Sequence, residues 1–267
     1  MFRPLQKNRF EFKFLVSEAQ ATAIRDFARS YLVRDEFADP RYDYAYPIHS
    51  VYLDSPDLHL CRSTCEGQKN RFKLRVRYYD EYDSNPVFFE IKRRVTDAIL
   101  KQRAAVRRDA ALRLIDGHDP RPDDLLNPDD LRAYDSLQQF CDLRRRIDGQ
   151  PKVIVSYLRE AWVTPTNNSV RLTLDRSLAA TLWTGKLVAP DLEKARNRPQ
   201  LQGVILELKF TDRFPNWMAE LAQIFNLRRR SVPKYVECVQ VLDLPEAAAF
   251  DRTDTINSPS ERGVRVE

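Results

Sequence analysis

Charged and apolar residues alternate along residues 70–80. Four basic side chains occupy every second position, namely Arg71, Lys73, Arg75 and Arg77, and four apolar or aromatic ones lie between or beside them, namely Phe72, Leu74, Val76 and Tyr78. Side chains two positions apart on a β-strand share a face. The segment therefore predicts a strand with one cationic face and one apolar face.

Several other segments repeat this alternation. A glutamate and a lysine stand two positions apart three times, as Glu11/Lys13, Glu90/Lys92 and Glu207/Lys209, each with apolar residues on the opposite face. Further residues that share a face are Lys101 with Arg103, Tyr157 with Arg159, and Arg171 with Thr173 and Asp175. The sequence thus predicts a set of strands that are all charged on one side.

Helical periodicity appears between some of these strands. Ser17 and Gln20 have the spacing of a capping box at the start of a helix over residues 17–32, and residues 107–117, 129–146 and 214–227 are also predicted helices. About eight strands with irregularly placed helices favour an antiparallel sheet or barrel over a βαβ repeat. Only six glycines occur and none forms a phosphate-binding loop, which argues against Rossmann and Walker-type sites.

The charged strand faces admit two interpretations. One is the solvated face of a half-exposed antiparallel sheet. The other is the inside of a closed barrel, favoured because the apolar faces need covering and because neighbouring arginines repel one another without an anion. Linked phosphates suit such an interior, since Arg donates forked hydrogen bonds to their oxygens and Lys adds charge. A bridging Mn²⁺ or Mg²⁺ would explain the glutamates.

Composition excludes several other classes of protein. The 267 residues are 43% hydrophobic, which is enough for a substantial core. The formal net charge of +5 is too small to indicate a polyanion partner unless the basic residues cluster. Four cysteines and three histidines lack metal-site or nucleophile spacing. No apolar signal core or membrane span is evident, so we expect a cytoplasmic protein.

Eight short motifs carry a resemblance to a known family. In order from residue 9 to 235 they are RFEFKF, SVYLD, KLRVRYY, FFEIK, LKQR, SYLREAW, LELKF and SVPKY. Together they resemble the triphosphate tunnel metalloenzymes and, more closely, the catalytic domain of the vacuolar transporter chaperone (VTC) family of polyphosphate polymerases. The resemblance implies an α+β fold: a closed antiparallel β-barrel of about eight strands with helices packed on the outside. Residues 1–245 would form this single domain, and residues 246–267 a polar, disordered tail.

The resemblance also implies roles for individual residues. Catalytic residues would be Arg159, Arg171, Lys234 and Glu207; substrate phosphates would contact Lys13, Arg75, Arg77, Lys92, Lys101, Lys209, Tyr157 and Ser231; the metal, Mn²⁺ or Mg²⁺, would bind Glu207, Glu11 and Glu90. The first glutamate of the Glu-x-Glu-x-Lys form is replaced by Arg9, which favours the polymerase branch over the hydrolases.

The expected reaction is transfer of the γ-phosphoryl group of ATP onto a growing polyphosphate chain, with pyrophosphate as a primer. An inorganic triphosphatase or polyphosphatase on the same scaffold, or a non-catalytic polyphosphate-binding module, remains an alternative. Nucleic acid is not an expected partner, because aromatic residues that alternate with the charges face away from them. Export of the polymer would need a membrane partner protein, which the sequence leaves open.

Overall fold

The alternating segments form the strands of one antiparallel sheet. The computed structural model describes residues 9–96, 98–166, 169–211, 213–242 and 244–247. The strands are β1 (Arg9–Val16), β2 (Val33–Arg34), β3 (Ala45–Asp54), β4 (Asn70–Tyr78), β5 (Val87–Val95), β6 (Ala98–Val106), β7 (Gln150–Val163), β8 (Val170–Leu182) and β9 (Val204–Thr211). The helices are α1 (Glu18–Ala28), α2 (His59–Cys65), α3 (Arg108–Ile115), α4 (Leu131–Arg146), α5 (Asn216–Ile224) and α6 (Lys234–Val241).

The sheet curls but is not closed by backbone hydrogen bonds. Its order is β1-β9-β8-β7-β3-β4-β5-β6, and β2 pairs with β7. Lys92 on β5 lies 3.3 Å from Glu11 on β1, although six strand spacings, about 29 Å in a flat sheet, separate these strands. Within the described ranges β1 and β6 do not pair. The predicted antiparallel α+β fold is thus confirmed, whereas its hydrogen-bonded closure into a barrel is not.

Four helices cover the apolar, convex face of the sheet. On one side, α3 and α4 lie in one core with β5, where Phe140 of α4 packs edge to face on Phe89 with the ring centroids 5.0 Å apart. On the other, Ile24 of α1 and Met218 of α5 are fully buried in a second core with Leu208 of β9. The apolar strand faces therefore bury against helices, as the alternating pattern predicts.

Helices α2 and α6 differ from the prediction that helices pack on the outside. Val153 and Val155 share the face of β7 that carries Arg159, and they lie in one core with Val236 of α6. Tyr235 of α6 also stacks on Tyr52 of β3, with centroids 4.5 Å apart. Helix α6, with Cys61 of α2 in the same core, thus packs on the concave face, because Val153, Val155 and Tyr157 form an apolar part of that face together with residues of β3, β8 and β9.

The chain beyond α6 is described only as far as residue 247. Pro245–Ala247 form a short 3-10 turn. The rest of the predicted disordered tail, residues 248–267, lies outside the described residues. No helix in the described ranges is long and apolar enough to cross a membrane.

Candidate functional site: a cationic concave face

Four cations converge on the carboxylate of Glu207. Lys13 Nζ and Lys234 Nζ lie 3.1 Å and 2.9 Å from Oε1, while Lys209 Nζ and an Arg159 nitrogen lie 2.5 Å and 3.3 Å from Oε2. The four side chains come from β1, α6, β9 and β7. Glu207 itself is only 3% exposed. Alternation along the strands, combined with the curl of the sheet, therefore brings together cations that are distant in sequence.

Asp175 on β8 completes this group, which we call the Glu207 cluster: Glu207, Asp175, Lys13, Arg159, Lys209 and Lys234. Two nitrogens of the Arg159 guanidinium donate to the two Asp175 oxygens, each at 2.7 Å, and Lys234 Nζ lies 2.7 Å from the same carboxylate. Forked Arg–carboxylate pairs of this kind fix orientation as well as charge. Asp175 thus positions two of the residues predicted to be catalytic.

The surrounding charges keep both carboxylates of the Glu207 cluster ionised. Burial alone would raise the pKa of Glu207, but Lys13, Lys209, Lys234 and Arg159 outweigh it and hold that pKa well below its usual range. Burial would also raise the pKa of Asp175, but Arg159 and Lys234 outweigh it and lower that pKa. Burial lowers the pKa of Lys209 to about 8 despite the nearby Glu207.

A second group of cations surrounds Glu90 and is called the Glu90 cluster: Glu90, Arg75, Arg77, Lys101 and Arg103. Glu90 is fully buried, and its oxygens lie 2.6 Å from both Arg75 and Lys101, 3.3 Å from Arg103 and 3.9 Å from Arg77. Burial opposes ionisation of Glu90, but Arg75 and Arg77 above all hold its pKa well below the usual range. This cluster gathers four cations from β4 and β6 around one carboxylate on β5.

Glu11 and Lys92 connect the two clusters. Glu11 lies 3.2 Å from Lys13 and 3.3 Å from Lys92, and Lys92 faces Lys73 in the β4–β5 register. Burial, together with Lys92 and Lys13, lowers the pKa of Lys73 to about 7. In the described part of the chain no carboxylate pairs with Lys73. The concave face therefore carries a continuous cationic surface with one amine that has no counter-ion.

Three predicted site residues lie at the edge of these clusters or outside them. Arg171 pairs with Asp35 at 2.7 Å and donates to the Tyr46 hydroxyl at 2.8 Å. Tyr157 is buried, and its ring centre lies 5.3 Å from the Arg159 guanidinium carbon and 5.0 Å from Lys234 Nζ. Ser231 is exposed and belongs to neither cluster.

Four residues that shape this surface were not among the predicted site residues. The alternation places Lys73, Arg103 and Asp175 on the charged strand faces, but no role was assigned to them. Asp54 gives no such signal, since its role depends on the fold. Its carboxylate accepts backbone N–H groups of Leu60 and Cys61 at 2.8 Å and 2.9 Å and the Tyr235 hydroxyl at 2.9 Å, joining α2 to α6.

The carboxylates suit a divalent cation only in combination with substrate oxygens. The described residues contain no group of three or more His, Cys, Asp and Glu side chains arranged to hold a metal. Of the predicted ligands, Glu90 lies in one cluster and Glu207 in the other. However, Glu207 and Asp175 both contact Lys234 Nζ, so two carboxylates lie side by side. One or two carboxylates plus phosphate oxygens are a usual Mg²⁺ environment.

Comparisons with known proteins give a family and distant structural likenesses. A solved structure of a Bacillus halodurans protein, provisionally described as an adenylate cyclase, has a TM-score of 0.48 and 13% identity, over 85% of this chain and 94% of that one. The PH1819 protein of Pyrococcus horikoshii OT3 has a TM-score of 0.39 and 15% identity, over 87% and 98%. Both are too distant to carry an argument about function.

The sequence match to a family is far more extensive. Among curated proteins, none matches this chain. The family model described as the VTC domain, in contrast, matches residues 8–243, which include all nine strands and six helices given above. The chain therefore belongs to the VTC domain family.

Proposed function

We propose that this protein is a polyphosphate polymerase that transfers the γ-phosphoryl group of ATP onto a growing polyphosphate chain. The observation that carries the proposal is the convergence of nine lysine and arginine side chains on the concave face: Lys13, Arg75, Arg77, Lys92, Lys101, Arg103, Arg159, Lys209 and Lys234. Membership in the VTC domain family supports it independently.

The chemistry asks the protein mainly to position and neutralise phosphates. Phosphoryl transfer proceeds through a loose transition state with charge spread over equatorial oxygens, and it needs no side-chain nucleophile. The cations are now paired with Glu11, Glu90 and Glu207, and entering phosphate oxygens would compete with these carboxylates for them. Arg159 can present its fork to a transferring phosphoryl group because Asp175 fixes its orientation.

A divalent metal fits the Glu207 cluster better than the Glu90 cluster. Glu207 and Asp175 would hold Mn²⁺ or Mg²⁺ there together with phosphate oxygens. When bound, such an ion would neutralise charge on the donor oxygens. Lys234 and Lys13, which contact Glu207 at 2.9 Å and 3.1 Å, would then turn towards the phosphates.

Incubation with ATP, Mn²⁺ and a pyrophosphate primer tests the proposal, with the phosphate products separated on a gel. We expect long-chain polyphosphate from the wild-type protein. The R159K variant keeps the positive charge but lacks the guanidinium that donates two parallel hydrogen bonds, and it should lose most of the polyphosphate synthesis. R145K is the matched control, since Arg145 forms an exposed pair with Asp119 at 2.8 Å on the helical side of the sheet.

Two other outcomes would refute polymerisation. Orthophosphate alone from ATP or polyphosphate would identify a triphosphatase or polyphosphatase. Binding of polyphosphate without turnover would identify a non-catalytic module. An R159K variant as active as R145K would remove Arg159 from the reaction even if polymer forms.

A further inference from the structure

An aromatic row continues the concave face beyond the two cation clusters. It consists of Phe37, Tyr46, Tyr79 and Phe88. Tyr79 follows Arg77 by two positions, Phe88 precedes Glu90 by two, and Tyr46 lies opposite Arg159 in the β3–β7 register. The ring centroids are 6.5 Å apart for Phe37 and Tyr46, 6.3 Å for Tyr46 and Tyr79, and 5.9 Å for Tyr79 and Phe88. The row therefore begins where the cations end.

Two arginines join this row to the clusters. Arg103 places its guanidinium carbon 3.5 Å from the centre of the Phe88 ring, while its Nε lies 3.3 Å from Glu90. Arg171 donates to the Tyr46 hydroxyl at 2.8 Å. A ligand that lies across both regions would thus meet cations at one end and aromatic faces at the other.

Phe37 stands out because it is 66% exposed and yet held in place. Its backbone N–H donates to Asp35 Oδ1 at 3.0 Å, and the other oxygen of the same carboxylate pairs with Arg171 at 2.7 Å. Asp35 is only 6% exposed, and its own backbone N–H donates to Ala161 on β7 at 2.9 Å. A buried carboxylate therefore fixes the backbone of Phe37, and the Phe37 ring extends the aromatic row to solvent through its contact with Tyr46. A contiguous aromatic patch of this kind, unlike a single exposed ring, is typical of binding sites.

We propose that the aromatic row stacks the base of the nucleoside triphosphate whose phosphates occupy the cation clusters. The inference deepens the proposed function and rests on it. Every nucleobase has a π face that stacks on aromatic side chains and on arginine. The row is placed to receive such a base because it adjoins the clusters on the same face, whereas inorganic phosphate chains have nothing to stack. Phe37 would contact the base from the loop side.

Binding of two ligands that differ in the nucleoside tests this inference. The affinities of ATP and inorganic tripolyphosphate are measured by calorimetry for the wild-type, F37A, F37W and Y31A proteins. We expect F37A to weaken ATP binding roughly 5- to 150-fold, the range expected on loss of one stacking ring, and to change tripolyphosphate binding less than about twofold. F37W should restore ATP binding.

Y31A is the matched control. Tyr31 is also exposed, at 41%, but stacks on Trp217 at 4.8 Å in the helical layer on the convex side. It should change neither affinity. Unchanged ATP binding in both F37A and a Y79L variant would overturn this inference alone, as would an equal loss for both ligands in F37A. A wild-type protein that binds neither ligand would overturn the proposed function with it.

Discussion

Replacement of Glu207 by glutamine, E207Q, would leave Lys13, Arg159, Lys209 and Lys234 without their shared counter-ion. The four cations lie 2.5–3.3 Å from the carboxylate, which is 3% exposed. Removal of one partner from a buried ion pair typically costs about 3–5 kcal/mol. Glutamine keeps the size and some hydrogen bonds, so we expect about 3 kcal/mol, a fall of roughly 6–12 °C in Tm for a chain of this length.

The same cost should disappear at low pH and should become smaller in the presence of linked phosphates. Because the pKa of Glu207 is lowered on folding, its contribution to stability is present above the unfolded value of 4.5 and is lost as the pH falls through the folded pKa. Inorganic tripolyphosphate at about 100 times its Kd stabilises a protein by about 2.7 kcal/mol. At one fixed concentration it should stabilise E207Q more than the wild type, since no carboxylate competes for the cations in E207Q and its Kd is therefore lower.

Thermal and urea unfolding, with and without tripolyphosphate, measure these effects. D109N serves as the control, because Asp109 pairs with Arg107 on the exposed surface of α3 and should matter little. If E207Q is as stable as the wild type at pH 7, the four cations do not depend on Glu207 as their counter-ion. If tripolyphosphate widens the difference in stability between the two proteins, the cations are not its binding site.

Three further predictions concern neighbouring groups. The pKa of Lys73 is about 7, against 10.5 in the unfolded chain, so this amine is mostly neutral at pH 8. Binding of tripolyphosphate should favour the charged amine, and the protein should therefore take up protons. Calorimetry in buffers of different ionisation enthalpy would detect this uptake, and K73M should reduce it. R159M should cost about 3–5 kcal/mol in urea unfolding, and adding D175N should recover part of it, whereas purely additive losses would contradict coupling through the pair. Y235F removes the Tyr235 hydroxyl, the donor that joins α6 to Asp54, and should lose about 1–3 kcal/mol; an unchanged unfolding midpoint would disprove that role.

The strand faces were predictable because the residues that alternate in the sequence lie on opposite faces of the folded sheet. Arg75, Lys92 and Glu207 all lie on the concave face, as a period of two requires. The pattern also implies helices on the convex face, and four of them lie there. Alternation fixes which side a residue faces, but it does not say which strands become neighbours.

The remaining features depend on contacts between distant segments. Closure of a barrel requires pairing of the first and last strands in the sheet, and no residue pattern in β1 or β6 encodes it. The prediction that aromatic side chains on the basic strands face away from the charges holds for Phe72 and Tyr78 of β4, which pack in the core under the convex face. It fails for Tyr46, Tyr79 and Phe88, because these residues occupy the concave positions of their strands just beyond the charged ones.

A crystal structure of the protein with bound inorganic tripolyphosphate would test the central claim most directly, namely that the cations of the concave face bind linked phosphates. We expect phosphate oxygens within hydrogen-bonding distance of Lys13, Arg159 and Lys234, with these side chains turned away from Glu207. Tripolyphosphate bound instead at the basic end of α4, residues 144–146, with the concave-face ion pairs unchanged, would contradict the account.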